Sequence, residues 1–137
     1  MTRLVGIYGA LLVACMAQRG ASGPPPTPPT GGTNVVASAG QQNCTPGTTC
    51  NWMCDEGSCA FNCQQGSSCN ISCNGGKCQI GCENGATCNL SCDGAGCNAA
   101  CQAGSVCNLS CNGGNCKAGC ADGATCNASC AGGGCSM

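Results

Sequence analysis

Histidine is absent from this 137-residue sequence, and tryptophan, phenylalanine and tyrosine occur once each. Without histidine there is no side chain whose ordinary pKa lies near neutrality, and no imidazole to hold zinc. Three aromatic residues cannot fill an ordinary core, so something other than bulky apolar packing must hold the chain together. Charge is also scarce, with four Lys and Arg against five Asp and Glu, a net charge of -1. No basic run exists, which argues against nucleic-acid partners and a polybasic membrane patch. The carboxylates, Asp55, Glu56, Glu83, Asp93 and Asp122, are scattered singly through the chain. General acid–base catalysis needs a positioned pair, and calcium needs six or more oxygens around one point. The sequence therefore predicts no enzyme, no cofactor and no cation site.

What the chain has instead is 21 cysteines and 24 glycines. Such a cysteine content reads as a disulfide scaffold in an exported protein and as a metal binder in a cytosolic one, so compartment decides the chemistry. The N-terminus speaks for export. "MTR" precedes the eleven-residue apolar run "LVGIYGALLVA", which is too short to span a hydrocarbon core of about 30 Å. Residues 1–14 are predicted to be the signal. The run closes in "LVAC", Leu12 to Cys15, which resembles the bacterial lipobox, whose cysteine is acylated and becomes the mature N-terminus. The alternative is an ordinary cleaved signal with its cut near Ala14 or Ala17. Parity favours acylation: twenty cysteines lie in the repeats and Cys15 is the odd one, a reactive thiol unless something consumes it.

Residues 15–43 carry "GPPPTPPTGG" and then small residues without apolar periodicity. This is predicted to be a lipid-attached linker, a stiff polyproline II spacer of about 3.1 Å per residue with flexible ends.

Residues 44–137 repeat. From Cys44 the cysteine intervals run 6, 4, 5, 4 and begin again, so that Cys44, Cys63, Cys82, Cys101 and Cys120 share one phase and nearly five copies fill the chain. Each unit holds two segments of the form Cys, x, apolar, x, Cys, such as "CNLSC" at Cys88 to Cys92. That is the two-residue period of a strand, with both cysteines and the central residue on one face and Asn and Ser on the other. The five-residue linkers place Gly third, at Gly47, Gly66, Gly85, Gly104 and Gly123, and the four-residue ones are glycine-rich with Asn or Asp first in most copies. Both read as tight turns. The predicted fold is all-β: a small, flattened, two-sided β-solenoid of about five 19-residue coils, with parallel pairing about 4.8 Å apart. A meander of hairpins is the competing topology, but it gives an identical repeat no columns of like residues. The inward residues are Trp52, Ile71, Leu90, Leu109 and Ala128, opposed by Phe61, Ile80, Ala99, Ala118 and Met137. Met137 is expected to offset the small Ala128 at the far end.

Pairing each cysteine across its adjacent turn uses all twenty: Cys44 with Cys50, Cys54 with Cys59, Cys63 with Cys69, Cys73 with Cys78, Cys82 with Cys88, Cys92 with Cys97, Cys101 with Cys107, Cys111 with Cys116, Cys120 with Cys126 and Cys130 with Cys135. The alternative joins the outer cysteines of one coil, as Cys50 with Cys63, and leaves Cys44 and Cys126 without mates.

The repeats resemble cysteine-rich repeat lipoproteins encoded by myxobacteria, and by architecture they are similar to the disulfide-stapled β-solenoid antifreeze proteins of insects. The first likeness implies no established function. The second implies ice binding through a flat outward face, with threonine columns where this chain has Asn51, Asn70, Asn89, Asn108 and Asn127 beside Ser72, Ser91, Ser110 and Ser129. The expected function is a non-enzymatic surface or periplasmic lipoprotein, a structural or display module attached to the bilayer through Cys15. The alternative is a binding module whose Asn and Ser face takes a polysaccharide, ice or another surface ligand. The third reading is metal sequestration in the manner of metallothioneins, whose Cys-x-Cys and Cys-Cys bunching this chain lacks.

Overall fold

The computed structural model describes residues 33–36 and 40–137. The predicted signal, Cys15 and the proline run lie outside these residues. Among the described residues there are eleven strands: β1 Thr33–Val36, β2 Gln41–Cys44, β3 Thr49–Cys54, β4 Ala60–Cys63, β5 Ser68–Cys73, β6 Gln79–Cys82, β7 Thr87–Cys92, β8 Asn98–Cys101, β9 Val106–Cys111, β10 Lys117–Cys120 and β11 Thr125–Cys130. Odd strands form one sheet in the order β1-β3-β5-β7-β9-β11, and even strands form the other, β10-β8-β6-β4-β2. Every pairing is parallel, and from β2 onward partners stand one full repeat apart, as in Cys69↔Cys88 and Cys63↔Cys82. The fold is the β-solenoid, not the meander.

Alternation along each strand sets the core. In β7 the residues run half-buried and buried by turns, with Cys88, Leu90 and Cys92 inside. Trp52 and Phe61 stack across the first full coil with ring centroids 5.0 Å apart and planes inclined by 17°. Ile71 and Ile80, Leu90 and Ala99, and Leu109 and Ala118 follow as buried pairs. Offset-stacked rings contribute beyond the area they bury, so the bulkiest layer lies where the coils begin. The expected pair at the other end does not form: Ala128 is exposed and Met137 is 81% exposed. Strand β11 is bonded on one side only, so among the described residues no further coil covers what it turns inward.

The sheets also begin upstream of the expected boundary at Cys44. β1 pairs with β3 out of step with the cysteine repeat, Thr33↔Cys50 and Val35↔Trp52, and β2 pairs with β4. These segments carry no cysteine before Cys44, so the cysteine intervals hide them. Half-buried Gln42 stands beside Phe61. A polar residue over the first aromatic layer is what a terminal coil needs to meet water.

Ten disulfides among the described residues close the turns, in the pairing across each adjacent turn, with Cα–Cα distances of 5.9 to 6.5 Å. Each closes a short loop, worth about 2 kcal/mol in the chain-entropy model, and neighbouring loops share restraints so the total is less than the sum. None of the ten crosses between coils. Coil-to-coil cohesion rests on backbone bonds, and these continue through the turns, as in Thr87 N–H to the Ser67 carbonyl at 2.9 Å.

The five-residue turns are β-turns with Gly at the third position. In one of them Ser67 N–H donates to the Gln64 carbonyl at 3.0 Å and Gly66 has φ +69°, the sign that this turn type demands. The four-residue turns use glycine for a second reason. A Cβ on Gly94 would lie 2.2 Å from the Gly76 backbone nitrogen, whereas one on Gly66 would meet nothing within 4 Å. Gly94→Ala therefore forces two coils apart and should cost about 3 kcal/mol. Gly66→Ala strains only its own φ, at about 1 kcal/mol. Thermal melts of the two variants by circular dichroism measure the difference, and equal losses would contradict the nesting of the turns.

Candidate functional site

The outward face of the odd-strand sheet holds the residues singled out by the repeat. Because side chains alternate along each strand, Asn51, Asn70, Asn89, Asn108 and Asn127 stand in one column, and their register is direct: Asn70↔Asn89 and Asn89↔Asn108. The amides bond to one another up the column. Asn70 Nδ2 donates to Asn51 Oδ1 at 2.8 Å, Asn89 to Asn70 at 2.9 Å, Asn108 to Asn89 at 2.8 Å and Asn127 to Asn108 at 3.0 Å. Each interior amide so uses one of its two N–H groups and one lone pair. The second N–H and second lone pair are left for solvent or a ligand.

Ser72, Ser91, Ser110 and Ser129 form the neighbouring column, headed by Met53, which is 43% exposed. Ser72 donates to Asn74 Oδ1 at 3.2 Å, which links the sheet face to the turn. There a third column stands. Asn74 Nδ2 donates to Asp55 Oδ1 at 2.7 Å, and Asn112 Nδ2 donates to Asp93 Oδ1 at 2.7 Å. Asp55 and Asp93 are thus not scattered: they share one turn position two coils apart, each with an amide above it. The alternation keeps like charges from being adjacent. Glu83 is held likewise, by Asn62 Nδ2 at 2.9 Å and the Gln65 backbone N–H at 3.3 Å.

A fourth column lies beyond a reading that stops each strand at its cysteines. Thr49, Ser68, Thr87, Val106 and Thr125 begin the odd strands and lie two positions before the Asn column. The signal is in the sequence, since the alternation continues one residue beyond the first cysteine. With it, every outward position of β3, β5, β7, β9 and β11 is uncharged. Over this face runs an open trough of about 1030 Å³, with the Asn and Ser columns among its lining residues. The site can offer repeated amide and hydroxyl contacts at the strand spacing of about 4.8 Å.

The other chemically notable cluster is internal. Sulfurs of adjacent coils approach closely: those of Cys54, Cys73 and Cys78 all lie within 4.8 Å of one another. All three are in disulfides and present no thiolate.

If the ladder stabilises the sheet, position within it sets the loss. Asn89→Ala removes two ladder bonds and should cost about 1 kcal/mol, and Asn51→Ala removes one and should cost about half as much. Denaturant titration of the two variants checks this order, and the reverse order would count against the ladder. No family model, no curated protein and no solved structure matches the chain, so what stands on the geometry is a cysteine-rich, disulfide-linked repeat β-solenoid.

Proposed function

We propose that the chain is a non-enzymatic lipoprotein of the cell envelope, a rigid module held off a membrane by its proline spacer and attached through acylated Cys15. The observation that carries the structural half of this reading is that polar groups are used internally. The Asn amides bond along their column and the turn carboxylates take amide partners. Among the described residues no buried side-chain nitrogen or oxygen lacks a hydrogen-bond partner. A surface organised to bond to itself supports a scaffold more than a catalyst. The anchor rests on "LVAC" at Leu12 to Cys15 and on cysteine parity: the ten disulfides consume twenty cysteines and leave Cys15. Cys15→Ser should move the protein from the membrane fraction to the soluble exported fraction, or leave its precursor unprocessed. Fractionation with intact-mass measurement reads this, and a wild-type protein already soluble and without acyl mass removes the anchor from the reading.

A second reading has one observation in its favour, the uncharged trough over the Asn and Ser columns. Many weak contacts at one spacing add up only for a partner with a matching period, such as a polysaccharide or an ice lattice. Asn89→Thr with Ser91→Thr keeps strand preference and outward polarity while removing one amide. A scaffold loses thermal stability with surface association unchanged, whereas a binding face loses association at constant stability. Glycan-array and ice-affinity measurements on the variant and its parent separate the two.

A further inference from the structure

We infer that the stacked cysteines form four-thiolate sites for a soft metal ion once their disulfides are opened. The inference stands apart from the membrane anchor and from the Asn and Ser face. Its basis is the way one coil lies on the next. The disulfides fall into two columns of five, one beside the five-residue turns and one beside the four-residue turns. Within the second column the sulfurs of Cys54, Cys73 and Cys78 lie within 4.8 Å of one another, and so do those of Cys92, Cys111 and Cys116. All six cysteines are buried.

Tetrahedral thiolate sites hold each sulfur about 2.3 Å from the ion, which sets the sulfurs about 3.8 Å apart. Three of the four sulfurs of the neighbouring disulfides Cys54–Cys59 and Cys73–Cys78 thus already lie close together, and opening the bonds lets each pair part and leaves Cys59, tied to Cys54 by one short turn, to swing in as the fourth ligand. The Cα atoms, 6.3 and 6.4 Å apart within the pairs, can stay where they are. The ligand set is pure sulfur, without imidazole or carboxylate, which selects zinc, cadmium or a comparably soft ion over calcium or magnesium. Two molecules of a dithiol open the two disulfides. Each closes into its own disulfide and delivers two electrons and two protons, giving four thiols. The ion then displaces four thiol protons and takes four thiolates.

The product differs from the oxidised protein in what it connects. Every disulfide ties the two ends of one turn, whereas an ion between two pairs ties one coil to the next. Metal uptake by the reduced chain is therefore coupled to stacking of the coils. The first column stacks in the same way, with the sulfurs of Cys82, Cys88 and Cys107 and those of Cys101, Cys120 and Cys126 within 4.8 Å of one another; five pairs in each column make two quartets with one pair left over, which gives four ions for the two columns.

The test uses the full chain carrying Cys15→Ser, so that only repeat cysteines titrate. The protein is reduced with a dithiol, freed of reductant under argon and titrated with Cd²⁺ alone, followed by thiolate-to-metal charge-transfer absorption and circular dichroism. Saturation at four ions with return of the β signal is expected. Replacing Cys73 and Cys78 together by Ser isolates Cys54 and Cys59 and should remove one ion. Replacing Cys130 and Cys135 together takes only the spare pair and should leave the count unchanged. Saturation well above four, as bridged thiolate clusters give, binding without the β signal, or equal losses in the two double variants overturns the inference, and the count is readable even for a variant that folds poorly.

Discussion

In-register stacking of identical coils is the constraint on which everything else in this molecule depends. Because each strand pairs in parallel with the strand one repeat further on, a residue type that recurs at one phase becomes a column. Cysteine columns become the core, asparagine columns a ladder, and glycine columns the narrow corner where coils nest. A shift of one residue between coils would turn every cysteine toward water. The backbone bonds that run on through the turns prevent it, and the disulfides keep each turn in the shape that those bonds require.

Two kinds of saturation follow. Inside, sulfur takes the place that aliphatic bulk holds in larger domains, with one apolar pair per coil from Trp52 and Phe61 to Leu109 and Ala118. A two-layer coil this thin has room for little more, and where a chain cannot build a sufficient apolar core such cross-links are the usual remedy. Outside, the amide ladder and the Asp55–Asn74 and Asp93–Asn112 pairs turn polar groups toward one another. Both devices make the solenoid stiff, which is what a stable structural module requires.

Part of the site is legible in the sequence. The Asn and Ser columns can be read because strand alternation is local and the repeat is covalent, so phase alone fixes the face. The threonine-rich column of Thr49, Thr87 and Thr125 escapes because the cysteines look like strand ends, although β3, β7 and β11 each begin one residue before a cysteine. The pairing of Asp55 with Asn74 is hidden for another reason: carboxylate and amide alternate at one phase, so no single residue type marks the column.

The sequence by itself determined the period, the phase, the inward and outward sets, and with cysteine parity the pairing across each turn, because all of these follow from local alternation repeated along one chain. The tertiary structure bears out the parallel stacking that an identical repeat favours over a meander, and it alone decided that β1 and β2 extend the sheets above Cys44, that Met137 stays outside the core, and which atoms bond along the asparagine column. Each of these depends on contacts between residues about one coil apart. The local pattern carries no record of these, and only the contacts between coils settle them.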